Sequence, residues 1–197
     1  SKQYVRREPR FYASVAYNGS TWHFLNAEDS KNEEKNIPIF YYRGGYKGYN
    51  NGYTSGYTLQ TGIGVKKYVH PDDTNRKEIK PKAEPAIRFA EILLIYAEAL
   101  NELEEGANYD VSSWDGSTTY SIKRDIDEMK KGIRPIRRRA GVPDYDLETV
   151  YKSQDEFRKK MKKERQIELM AEGQRYFDLR RWKDAEVEES KKNYGCN

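Results

Sequence analysis

The 197-residue chain carries 36 lysines and arginines against 32 acids, for a formal net charge of +4 and a pI near 8.9. That near balance, interspersed along the chain, favours salt-bridged helix surfaces and argues against a nucleic-acid groove. Leu, Ile, Val and Phe make up about 18% of the residues, a level that marks disorder only when net charge is high; the expectation is an ordered body with a small core that packs against further structure.

Residues 1–8 are charged. Arg10 to Tyr17 alternates as RFYASVAY, and Thr21 to Leu25 follows Asn18-Gly19-Ser20. Asn-Gly between two aromatic, β-branched runs signals a hairpin, so a small β-hairpin is expected near the N-terminus. Ala27 to Asn36 reads as a polar loop. Between Tyr41 and Tyr57 stand six tyrosines and five glycines, a density of glycine that disfavours any regular element. Tyrosine offers a flat apolar face and a hydroxyl at low entropy cost, which makes Arg43, Tyr46, Tyr49, Asn50, Asn51 and Tyr53 a candidate ligand surface on an irregular loop. Packing of these rings over the body of the domain is the competing reading. Gly62 to Val69 reads as a short strand. His23 and His70 are the only histidines, and no cysteine or acid cluster at ligand spacing accompanies them, so no metal site is expected. The single cysteine, Cys196, can form no internal disulfide.

Glu84 to Leu103 has the period of a helix, with Pro85 in its first turn. Ile92, Leu93, Tyr96, Ala99, Leu100 and Leu103 fill one face, while Ile87, Leu94 and Ala97 begin a second, as in a helix sandwiched between others. Glu91 and Glu98 share a face. Gly106 to Thr119 is a polar insertion whose Trp114, in SSWDGST, is a second candidate ligand contact, with packing onto a neighbouring loop as the alternative. Tyr120 to Lys131 reads as the next helix, interrupted at Gly132. Arg134 and Arg137 to Arg139 follow, without the aromatic platform or basic stripe that nucleic acid requires.

At about 100° per residue, Phe157, Met161, Glu164, Glu168 and Ala171 share one stripe, so two carboxylates occupy a face that should be apolar. A buried carboxylate must be paired or protonated. We therefore expect a structural ion-pair network joining Glu91, Glu98, Glu164 and Glu168 to Arg137, Arg139, Arg175 and Arg180. Paired acids could instead serve as general acid and base, but complementary charge spread over three stretches suits architecture better. Gly173 fits a left-handed helix end, with a second helix from Gln174 to Lys183 and a charged one to Lys192.

Three of these stretches resemble, in order, the signatures of one family. IRFAEILLIYAEALNE (Ile87 to Glu102) is similar to its AE-x-x-L-x-x-AEA helix. IRPIRRRAG (Ile133 to Gly141) is similar to its N-x-I-R-x-R-A-G turn, with Arg134 where asparagine usually stands. ERQIELMAEGQRYFDLRRW (Glu164 to Trp182) resembles the C-terminal signature of the SusD/RagB family, the surface glycan-binding lipoproteins of Bacteroidetes-type outer membranes. RREPRFYASVAYNGSTW (Arg6 to Trp22) resembles a further family stretch; Asn26 to Gln60 and Glu104 to Tyr120 match no motif.

The resemblance implies a mainly α fold: SusD-like helical hairpins forming part of a tetratricopeptide-like superhelix, with long irregular loops. It implies the C-terminal part of a longer domain, loop-rich over 1–83 and helical over 84–197, with the N-terminal part and the extreme C-terminus absent. The function it implies is non-catalytic capture of oligo- or polysaccharide on the external face of the outer membrane, and delivery to a SusC-like TonB-dependent transporter for nutrient uptake. The partners would be a glycan, the transporter and the remainder of the same protein. Membrane attachment would come only through a lipid anchor outside this chain, and no cofactor is called for. A helical-repeat protein-interaction scaffold and a glycoside hydrolase accessory domain are the alternatives, although no Ser–His–acid set or Gly-rich phosphate cradle is present.

Overall fold

The computed structural model describes residues 4–21, 38–42, 44, 45, 61–70, 73 and 79–192. Arg43, the tyrosine-rich candidates Tyr46, Tyr49, Asn50, Asn51 and Tyr53, and Cys196 lie outside the described residues. Among the described residues helices dominate, with three small two-stranded antiparallel sheets, so the fold is mainly α. The chain divides into two compact units, residues 1–84 with 177–197, and residues 85–176.

In the first unit Pro9 opens the short helix α1 (Pro9–Ser14), a position where its fixed φ and missing N–H cost nothing. Strand β1 (Val15–Tyr17) pairs with β4 (Ile63–Val65), whereas β2 (Ser20–Thr21) pairs with β3 (Pro38–Ile39). This corrects the expected hairpin. Asn18-Gly19 does turn the chain, with Gly19 at φ +88°, but the strands it separates join different, sequence-distant partners. The Asn18 side chain accepts from the Tyr41 backbone N–H at 2.8 Å and Gly19 donates to the Ile39 carbonyl at 2.8 Å; these bonds draw β2 toward β3. Tyr4, Phe11 and Tyr17 cluster against buried Val15 and Ala16, with the Tyr4 and Tyr17 ring centres 4.9 Å apart. The buried Asp73 carboxylate accepts from the His70 and Lys80 backbone N–H groups and from Lys82 Nζ. The same unit holds α6 (Ala185–Glu189), a charged, exposed helix.

The second unit is built on three helices, α2 (Phe89–Asn101), α3 (Ile126–Arg139) and α4 (Gln154–Glu168), with α2 packing on both others. Leu94, Ala97 and Leu100 of α2 meet Met129, Ile133 and Ile136 of α3 and Phe157 and Met161 of α4 in the core. Helix α3 starts at Asp125, whose carboxylate accepts from the N–H groups of Asp127 and Glu128. It runs on through Gly132 and Pro135, where an interruption was expected. Gly132 is there for contact: a Cβ on it would lie 2.5 Å from the Leu93 carbonyl oxygen and 2.8 Å from the Ala97 Cβ. Helix α4 is capped by Ser153, whose hydroxyl accepts from the Glu156 N–H at 3.3 Å. Between them, Leu147–Tyr151 forms a π-helical turn capped by Asp146. Helix α5 (Gln174–Arg181) follows Gly173, at φ +79°.

Two further expectations are corrected here. Tyr120 lies in a strand, since β5 (Tyr109–Ser112) and β6 (Thr119–Ile122) pair as a hairpin with Tyr109 opposite Ile122 and Val111 opposite Tyr120. Helix α2 also turns differently from its expected inward face: Ile92 and Tyr96 are exposed, while Leu94, Ala97, Glu98 and Asn101 are buried.

Candidate functional site

The acids of α4 are tied into a knot of arginines. Arg137 donates to Glu164 Oε2 at 2.5 Å and to the Pro143 carbonyl at 2.7 Å, and its guanidinium lies 4.0 Å from the centre of the Tyr145 ring. Tyr145 in turn donates to Glu164 at 2.9 Å. Burial, then the Glu164 charge, holds the Tyr145 hydroxyl well above the usual tyrosine range. Glu168 takes Arg139 and also Arg88, the latter at 2.7 Å. Arg88 further clamps Glu172 with bonds of 2.6 and 2.8 Å and caps the Glu168 carbonyl at 2.7 Å.

Of the other residues expected in this network, Glu91 lies 3.8 Å from Arg165 and accepts from Gln174 at 3.4 Å. Glu98 is buried on α2, Arg175 is half-buried at the start of α5, and Arg180 pairs with Glu189 at 3.4 Å. Sequence reasoning missed Arg88, Arg165 and Glu172. Arg88 stands at the N-cap of α2, where a cation opposes the macrodipole and calls for a carboxylate partner, but a helix read from Glu84 hides that position. A second polar clasp, also missed, joins the C-terminal end of α2 to the π-helical turn and α4. Buried Arg124 donates to Asn101 Oδ1 at 3.1 Å and to the Tyr151 carbonyl at 2.9 Å, while Asn101 donates to the Gln154 carbonyl at 3.0 Å.

A shallow groove of about 720 Å³ runs along the end of α3, lined by Arg134, Arg137, Arg138, Arg139, Pro135, Val142 and Asp144. Its arginines are largely committed: Arg134 to Asp144 at 2.5 Å, Arg137 to Glu164 and Arg139 to Glu168. Arginines in a last helical turn also complement the negative end of the helix. The groove is thus an edge of the ion-pair knot.

Trp114 stands apart from all this. It is 98% exposed at the tip of the β5–β6 hairpin, and the tip that carries it is well ordered by its own hydrogen bonds. The Asp115 carboxylate accepts from the Ser113 hydroxyl at 2.7 Å and from the Ser117 hydroxyl and N–H at 2.8 and 3.1 Å. The Thr118 N–H donates to the Ser113 hydroxyl and the Ser113 N–H to the Thr118 carbonyl. The Ser113 hydroxyl, followed by the Ser117 groups, lowers the Asp115 pKa to about 2. Such a tip holds an indole in water at small further entropic cost. Among the described residues no group of three or more His, Cys, Asp or Glu side chains could hold a metal ion, and no helix is long and apolar enough to cross a membrane.

The described residues thus form a mainly helical body whose buried acids are met by arginines, with Trp114 exposed on a hairpin tip. The chain belongs to the SusD family, whose family model matches residues 1–197. No curated protein and no solved structure matches it. Membership suggests glycan binding at the cell surface; proteins of the family are generally non-catalytic, typically associated with the outer-membrane surface, and work with SusC-like transporters.

Proposed function

We propose that this protein captures oligo- or polysaccharide at the bacterial cell surface, without cleaving it, and delivers it to a TonB-dependent outer-membrane transporter, held to the external face by a lipid anchor. The observation that carries the reading is Trp114, almost fully exposed on a self-bonded tip. Sugars present apolar ring faces edged with hydroxyls, and an indole flanked by Ser113, Ser117 and Thr118 offers the matching chemistry. Arg43, Tyr46, Tyr49, Asn50, Asn51 and Tyr53 are proposed as a second contact region. The engagement of Glu164 and Glu168 with arginines supports a non-catalytic role. The test is a glycan array of the protein with a parallel assay for released reducing ends. Binding without release is expected; release of sugar from any bound polysaccharide would overturn the non-catalytic reading.

A protein-docking role is favoured by a different observation. Phe89, Ile92, Ile95 and Tyr96 of α2 are all exposed, Phe89 at 74%, and Phe89, Ile92 and Tyr96 recur at the spacing of one helix face. This stripe suits the transporter contact that the delivery step requires, so capture and docking fall to different surfaces. Placing a charge in it (Ile92→Glu) should abolish co-purification with the transporter and leave glycan retention unchanged.

A further inference from the structure

In an antiparallel pair, alternate residues share a face. The register puts Tyr109, Val111, Tyr120 and Ile122 together on one side of the β5–β6 hairpin and Asp110, Ser112, Thr119 and Ser121 on the other. Tyr109, Val111 and Tyr120 are exposed at 39%, 46% and 56%. The apolar side of this ribbon is therefore turned to solvent, where an isolated two-stranded hairpin gains nothing from it. Same-side neighbours along a strand are about 7 Å apart, so the aromatic row runs lengthwise toward Trp114.

Size and charge narrow the occupant. These three side chains expose on the order of 300 Å² and the Trp114 indole at the tip adds its own face, in the range of patches that are functional on single proteins and below the roughly 800 Å² per partner of a stable protein interface. A second copy or a folded partner would need more. From Tyr109 to Ile122 the only charged side chains are Asp110, on the polar side, and Asp115, turned inward onto serines. Just beyond the strand end Lys123 is exposed, and Arg124 after it is buried and engaged with Asn101, Glu105 and the Tyr151 carbonyl. With no cation between Tyr109 and Ile122, an anionic polymer or an acidic membrane surface finds no counter-charge along the row.

We propose that Tyr109, Val111 and Tyr120 extend the Trp114 platform into a strip that takes an uncharged glycan chain lengthwise. This deepens the glycan reading and rests on it. Each ring contributes a flat face along the chain, the serine and threonine hydroxyls of the tip supply hydrogen bonds, and affinity rises with chain length until the strip is filled.

The test is affinity electrophoresis of the full chain in gels containing soluble starch, mixed-linkage β-glucan, arabinoxylan or galactomannan, and polygalacturonate or a sulfated galactan. Titration with oligosaccharides of the retained polymer, from the disaccharide upward, then follows. Retention by at least one neutral polymer and by neither anionic one is expected, with affinity rising with length. Tyr109→Thr and Tyr120→Thr, which keep strand propensity, should each weaken the longest oligosaccharide roughly three- to tenfold, as the loss of a partial ring contact predicts. Each should also flatten the length dependence, while Asp110→Lys on the far side changes neither; circular dichroism verifies that each variant is folded. Retention only by an anionic polymer overturns the strip and leaves the glycan reading standing. So does a neutral polymer whose binding depends on Trp114 but not on Tyr109 or Tyr120. Retention by no polymer overturns both.

Discussion

Glu164 occupies a place on α4 where the helical period calls for an apolar side chain, and its side chain is 2% exposed. It is kept there by Arg137, whose guanidinium also covers the Tyr145 ring. Removing one member of such a pair strands the other charge in the interior, so Arg137→Ala should destabilise the protein by about 3–5 kcal/mol in urea denaturation. Lys152→Ala, which breaks an exposed pair with Glu148, should cost less than about 1 kcal/mol by the same measurement. Asp115 gives a pH test of the hairpin tip. Its folded pKa of about 2 lies below the unfolded value near 3.9, so its stabilising bonds are fully present above that unfolded value and fade as pH falls toward 2. The Ser117 amide resonance should therefore hold its position from neutral pH to about 4 and move only below it; movement between pH 5 and 7 would contradict the assigned hydrogen bonds.

At the scale of elements, Gly132 governs how closely α2 and α3 cross. Gly132→Ala gains helix propensity of about 1 kcal/mol, but its Cβ meets the Leu93 carbonyl, backbone that cannot turn aside. Overpacking of this kind costs typically 1–3 kcal/mol, so a net loss of stability is expected; thermal unfolding at a higher Tm than the parent would show that the helices can spread. This residue also shows where the sequence was legible and where it was not. The three helices of the second unit left strong periodic signals, and the carboxylates of α4 announced their need for arginines. Glycine inside a helix, by contrast, has the local signature of a break, and only the neighbouring helix explains it. The Asn18-Gly19 turn misleads for the same reason: it is a turn, but its flanking strands pair with Pro38–Ile39 and Ile63–Val65 instead of with each other. The β5–β6 hairpin left a faint signal, the alternation of YDVS and TYSI around Asp115-Gly116, hidden by the spacing of Ile122, Ile126 and Met129 that mimics a helix.

On the scale of the whole molecule, the charges and the aromatics have separate duties. Arginines and acids are spent inside the second unit, holding α2, α3 and α4 together. The aromatic side chains of the hairpin are left in water, and the family to which the chain belongs suggests what meets them. Surface aromatics of this kind contribute little to stability; under the proposed function their worth appears in binding. The most direct measurement is isothermal titration of the protein and its Trp114→Ala variant with the polysaccharide that the glycan array selects, alongside both melting temperatures. The expected result is an affinity at least roughly tenfold weaker in the variant, about 1.4 kcal/mol, with unchanged Tm. Equal affinities for the two proteins, or an array on which the parent protein binds no glycan, would contradict it.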